Sequence, residues 1–183
     1  HDALPISSGD GLDSNGTIVF NGGTTITMSA LTDMSGGIDA DGAVTVNGGT
    51  VIATGARSSI PVAASTQKSL VINYPSAQTA DTVAAIIDPN GVPLLVFAPS
   101  VAYQQLVFSS VDVAEGTTYT VFSGGSAEGT VQDGWYTNAT YTPGSQVTTV
   151  DTTSTTNAQN MGPGGPGGGG PVGGGPGGGG NRP

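Results

Sequence analysis

Asp10, Asp13, Asp39 and Asp41, with Asn15 beside them, are the side chains whose type and spacing could do chemistry. Asp13 and Asp39 lie 26 residues apart, at equivalent places in two similar strings, Gly11-Leu12-Asp13-Ser14-Asn15-Gly16 and Gly37-Ile38-Asp39-Ala40-Asp41-Gly42. If that offset is one turn of a coil, the two carboxylates stack one strand spacing apart, about 4.8 Å. At that distance they repel by about 3.5 kcal/mol at an effective dielectric of about 20, unless a cation lies between them or one is protonated. Oxygen-only ligands select a hard ion such as Ca²⁺, with Asn15 and backbone carbonyls completing a shell of about six to eight contacts. The competing reading is that Asp favours turns and that these side chains face water, where salt screens the repulsion. An EF-hand loop is excluded, because Thr50 stands where the bidentate Glu would be required and no helical pattern flanks the string.

The elements that would position these carboxylates are strands. Thr17-Ile18-Val19-Phe20-Asn21-Gly22-Gly23-Thr24-Thr25-Ile26 follows the first string, and Ala43-Val44-Thr45-Val46-Asn47-Gly48-Gly49-Thr50-Val51-Ile52 follows the second at the same 26-residue offset. Apolar residues alternate in both, Ile18, Phe20, Ile26 and Met28 against Val44, Val46 and Ile52. That period marks half-buried strands, and the helical period is absent. Asn-Gly-Gly supplies a corner between two strands, since Gly carries no Cβ penalty at positive φ. A repeat of this length predicts a solenoid in which each copy buries its apolar face on its neighbour. The expected fold class is all-β: a truncated right-handed parallel β-helix, a non-repeating β cap and a disordered Gly/Pro-rich tail. The hand follows from the near-universal right-handed crossover between parallel strands.

Composition narrows the partners. Thirteen acidic residues against three Lys and Arg give a formal net charge of −10. Nucleic acid is not an expected partner, because neutralising phosphates requires several Lys or Arg on one face. The chain has no Cys, so neither disulfides nor thiolate metal sites are available. Apolar runs fall far short of the roughly 20 residues a spanning helix requires, so no membrane span is expected. A monomer is expected.

Along the chain, residues 1–7 read as a translated sequencing adapter rather than native protein, since CAC GAC GCT CTT CCG ATC encodes His1 to Ile6. That reading implies that earlier coils and any signal peptide were lost with the true N-terminus. Residues 8–60 hold the two coils, with Leu31 to Gly36 as an inserted loop. The pattern breaks from Arg57, and Pro61 rules out an interior strand. Residues 61–150 form the cap: strands at Leu70 to Ile72, Val83 to Ile87, Leu94 to Phe97, Leu106 to Phe108 and Tyr119 to Phe122, with weaker signals around Trp135, Tyr141 and Val147 to Val150. Asp88-Pro89-Asn90-Gly91 predicts a hairpin turn and Gly116 marks another turn. Residues 151–183 are Ser/Thr-rich and then Gly/Pro-rich, the composition of a disordered tail.

Asn21 and Asn47 should stack as an amide ladder along the solenoid, a structural role. Trp135 and Tyr136, and less directly Tyr141, Tyr103 and Tyr74, could offer flat faces to sugar rings. Aromatics make up only 5% of the chain, so core roles compete with that use. His1 is the only His, so no imidazole acid/base or triad chemistry is expected.

With the two coils, Gly48-Gly49-Thr50-Val51-Ile52-Ala53-Thr54-Gly55, Ser65-Thr66-Gln67-Lys68-Ser69-Leu70, Tyr103 to Ser110 and Gly116 to Val121 taken together, the chain resembles a bacterial carbohydrate-binding domain family. Its members are right-handed parallel β-helices that bind cellulose and polygalacturonate, contain calcium and are similar in fold to pectate lyases. The resemblance covers roughly residues 8–150 and implies a non-catalytic polysaccharide-binding module, extracellular or on the cell surface, stabilised by Ca²⁺. Two alternatives remain. A polysaccharide lyase fragment would need a basic side chain, and Arg57 is the sole Arg near the coils. A structural or adhesive surface protein without sugar specificity would suit the Gly/Pro tail.

Overall fold

In the computed structural model the described residues are 6–7, 9–31 and 35–152. Residues 1–5 of the expected adapter and 153–183 of the expected tail therefore lie outside them. The described residues form eleven strands and no helix: β1 Ile6–Ser7, β2 Leu12–Ser14, β3 Ile18–Ser29, β4 Ile38–Ala40, β5 Val44–Gly55, β6 Ser69–Gln78, β7 Ala84–Ile87, β8 Pro93–Phe97, β9 Tyr103–Ser109, β10 Thr118–Gln132 and β11 Trp135–Asp151. The class is all-β.

The 26-residue repeat sets the register of the first half. β2 lies parallel to β4 with Leu12 on Ile38, Asp13 on Asp39 and Ser14 on Ala40. β3 lies parallel to β5 with Ile18 on Val44 and Phe20 on Val46. Register slips at the Asn-Gly-Gly corner, where Asn21 faces Gly48, and resumes with Thr24 on Thr50. Gly23 and Gly49 sit there at φ of 78° and 92°. A Cβ on Gly49 would also run into the Gly23 carbonyl, so the second corner nests on the first only as glycine.

The two copies of the repeat pair in parallel, as expected of coils, but the sheet they enter is mixed rather than parallel throughout. One sheet runs β1-β3-β5-β9-β6, and β9 pairs antiparallel with both β5 and β6. The parallel stack thus continues directly into the second half of the chain. The expected hairpin at Asp88-Pro89-Asn90-Gly91 joins β7 to β8, with Ile86 opposite Leu95. Asp88 Oδ1 accepts from the Val92 and Asn90 N–H groups, and Gly91 holds φ at 84°. The Val92 N–H, first among these donors, lowers the Asp88 carboxyl from its ordinary range.

The largest departure from expectation lies in residues 123–150. Their weak strand signals belong to the two longest strands, β10 and β11, which pair along their whole length and close a barrel of order β10-β11-β8-β7. Gly124 and Gly125, at φ of 76° and 82°, lie midway along β10 just past its pairing with β7, and at the far end of the hairpin Trp135 pairs with Phe97 of β8. Glycine punctuation and alternating Thr and Ser hide this hairpin from a pattern built on apolar period 2.

The main sheet is buried on both faces. One face carries Ile52, Leu70, Ile72 and Phe108 against Ile86, Leu95, Phe97, Tyr119, Val121 and Val150. The opposite face carries Val51, Ala53, Val71 and Val107 against Ile38, Val44 and Val46 of the repeat. This double burial explains the near-continuous apolar runs Val51-Ile52-Ala53 and Leu106-Val107-Phe108. It also makes the repeat and the second half parts of one packed body.

Candidate functional site

The acidic cluster is held by β2, β4 and the turns that flank them. Asp13 and Asp39 are direct partners across adjacent parallel strands, and both side chains are exposed. Ile38 between the glycines of its string is fully buried, which turns its neighbour Asp39 outward by the alternation of the strand. Asp41 is exposed as well; its N–H donates to Ser14 O at 3.0 Å, and the next donor, Gly42 N, reaches Gly16 O at 2.8 Å. Asn15 lies exposed at the equivalent corner of the first rung.

Asp10 behaves differently from the others. Its Oδ1 accepts from Gly36 N at 2.7 Å, so this carboxylate ties the start of the first rung to the start of the second, again 26 residues on. The five residues expected around a cation therefore divide into an outward set, Asp13, Asn15, Asp39 and Asp41, and Asp10, which is turned onto the backbone. Among the described residues no three acidic or imidazole groups converge on one point. The outward set offers carboxylates in a row, and a hard cation held there would draw its remaining oxygens from water or from a ligand.

The amide ladder is formed. Asn47 Nδ2 donates to Asn21 Oδ1 at 3.0 Å. It also extends one step further than the repeat predicts, since Thr66 Oγ1 donates to Asn47 O at 3.2 Å.

That extension belongs to a third, irregular rung which the repeat does not reveal. Ser59 N donates to Ile38 O, Val62 N to Val44 O and Gln67 N to Val46 O, while Pro61 bridges Val44 in parallel. Where the backbone cannot supply acceptors, side chains do: Ser58 Oγ accepts from Gly37 N, Ser59 Oγ from Ala40 N and Ser65 Oγ from Val46 N, each near 3.0 Å. The Gln67 amide donates to Gly49 O and to Ser109 Oγ. Residues 57–67 thus cover the edge of the second rung that strand-breaking Pro61 prevents from forming a regular ladder. A signal exists in the sequence: Ser59, Ser65 and Thr66 each stand 19 residues after the group they serve, a shortened repeat rather than none.

The aromatic candidates are dispersed. Trp135 is partly buried against the main core, while its neighbour Tyr136 packs on the barrel cluster around Val83, Ala85 and Val96. Adjacent strand residues point to opposite faces, so the two rings do not share one platform. Tyr74 and Tyr103 are buried and meet edge to face at a centroid distance of 5.3 Å. Burial pushes the Tyr103 hydroxyl up to about 12. Burial, and then the neighbouring Tyr103, raises Tyr74 as well. Tyr141 donates to Gly124 O at 2.7 Å and packs on Phe122. Arg57 is exposed, and Lys68 pairs with Glu115 at 3.2 Å.

No family model, curated protein or solved structure matches the chain.

Proposed function

We propose that the chain is a non-catalytic module that binds an acidic or neutral polysaccharide outside the cell, with Ca²⁺ shared between the Asp13/Asp39 row and the polymer. In this reading the repeat and its third rung are coils of a right-handed parallel β-helix, an assignment supported by the parallel register of β2 with β4 and β3 with β5.

The observation that carries the reading is the outward row of polar groups in that register. Asp13 stands beside Asp39 and Asn21 beside Asn47 on exposed surface. Groups repeated at strand spacing, about 4.8 Å, form a ruled surface suited to a periodic polymer rather than to a compact ligand. Carboxylates in such a row, carried by a chain of net charge −10, would repel a polyuronate unless a divalent cation bridged the two. Asp13 and Asp39 would hold that ion from the protein side, and uronate carboxylates would supply the remaining oxygens. Cellulose, which is uncharged, would instead use hydrogen bonds along the Asn and Asp row.

The test is retention on insoluble cellulose and on cross-linked polygalacturonate, each with millimolar Ca²⁺ and with chelator. Calcium-dependent retention on polygalacturonate supports the reading. Absence of retention on both solids under both conditions ends it, and calcium-raised thermal stability without retention would favour a structural surface protein.

A further inference from the structure

We propose that Asn15-Gly16 is a self-modification site, at which the folded chain converts Asn15 to aspartate and isoaspartate ahead of its other three Asn-Gly steps. The chemistry needs no partner. The Gly16 backbone nitrogen attacks Asn15 Cγ, the C–N bond to the amide breaks, and ammonia leaves carrying the former Gly16 N–H proton. Water then opens the cyclic imide at either carbonyl, so the net reaction consumes one water, releases one ammonia and leaves one carboxylate. Glycine in the second position favours the attack because no side chain shields its nitrogen.

The chain has four such steps, Asn15-Gly16, Asn21-Gly22, Asn47-Gly48 and Asn90-Gly91, and the structure restrains them unequally. The Asn47 amide donates to Asn21 Oδ1, and its own Oδ1 lies 3.4 Å from the Thr66 hydroxyl that donates toward it. That bond also immobilises the Asn21 amide. At Asn90 the leaving amide donates to Asp88 Oδ2 at 3.3 Å, and the attacking Gly91 N–H is held by Asp88 O at 3.0 Å. Asn15 is exposed and, among the described residues, its carboxamide has no hydrogen-bond partner. Gly16 N reaches only Ser14 Oγ, an exposed contact at 3.1 Å two residues away.

The corner one rung along shows what Asn15 lacks. There the equivalent residues are Asp41 and Gly42, and both of their N–H groups are pinned to the first rung, at Ser14 O and Gly16 O. The N–H groups of Asp41 and Gly42 are thus committed to Ser14 O and Gly16 O, whereas the Asn15 carboxamide is unengaged among the described residues and the Gly16 N–H meets only the Ser14 hydroxyl. Conversion to aspartate also makes the two corners chemically alike, since position 41 already carries Asp.

The experiment is a time course of the intact chain in mildly alkaline buffer, followed by digestion and mass spectrometry that separates aspartyl from isoaspartyl peptides. A parallel incubation in denaturant gives each step its unrestrained rate. In native buffer Asn15 should convert several-fold faster than Asn21, Asn47 and Asn90, and in denaturant the four rates should draw together. Gly16→Ala should suppress conversion at Asn15 without unfolding the chain, because a Cβ there meets nothing closer than Ser14 Oγ at 3.9 Å. Conversion of Asn15 in native buffer no faster than that of Asn47 or Asn90 overturns the proposal, as does a Gly16→Ala chain that converts at the parent's rate.

Discussion

Asn47 Nδ2 donates to Asn21 Oδ1 at 3.0 Å, which gives the two amides different duties in a ladder that looks symmetric in the sequence. In the folded chain position 47 donates and position 21 accepts.

Replacement by aspartate should therefore be tolerated at one rung and not at the other. Asn21→Asp keeps an acceptor and strengthens it, because hydrogen bonds to a charged group exceed neutral ones. Asn47→Asp removes that donor and obliges the Asn21 amide to turn over before the bond can form again, at a cost of at most about 0.5–1.5 kcal/mol. Urea midpoints of the two variants will compare them. Equal loss at both positions would mean that the ladder carries no directional bond.

Ser58 should rank among the most sensitive polar residues of the molecule. Its hydroxyl accepts from Gly37 N in a buried setting, while its own N–H donates to Gln105 Oε1, a residue that also donates to Asn73 Oδ1 at 2.8 Å. Ser58→Ala leaves the Gly37 N–H buried and unpaired, which costs about 1–3 kcal/mol. Ser59→Ala, at a less buried site, should cost less. The two midpoints by chemical denaturation decide the order, and a Ser59 variant weaker than the Ser58 variant would contradict the third-rung assignment.

These residues also mark where the sequence was legible and where it was not. The register of Asp13 on Asp39 and Phe20 on Val46 could be read because corner and strand recur at identical spacing in both copies. The third rung leaves a fainter trace, since residues 57–67 replace backbone acceptors by Ser hydroxyls and shorten the offset from 26 to 19. β10 and β11 were obscured for a different reason. Their pairing is carried by the main chain across Gly124, Gly125, Gly129 and Gly144, with too few apolar side chains to print a period. Within the candidate site, spacing placed Asp13 and Asp39 together but could not show that Asp10 folds onto Gly36 N, because a side-chain bond to backbone leaves no periodic trace.

Alkaline pH should destabilise the core through the buried tyrosines. An exposed phenol ionises near pH 10, whereas Tyr103 in the folded chain is pushed up to about 12 by burial, and Tyr74 rises with it. The unfolded state therefore releases these protons first. Their contribution is fully present below about pH 10 and is lost as pH climbs through about 12, on the order of 2–3 kcal/mol for Tyr103. Tyr103→Phe should flatten the dependence across that window. Parallel pH profiles for parent and variant would show that Tyr103 is not the group responsible.

The proposed role rests on whether the Asp13/Asp39 row brings a polyuronate to the surface through calcium. The most direct measurement is affinity electrophoresis in gels cast with polygalacturonate, run with Ca²⁺ or with chelator, for the parent chain and for Asp13→Asn/Asp39→Asn. The parent should be retarded with Ca²⁺ and released by chelator. The variant should migrate freely in both gels while keeping its thermal transition, since both side chains are exposed. Retardation of parent and variant to the same extent, or of neither in any gel, would contradict the assignment of these carboxylates to polysaccharide binding.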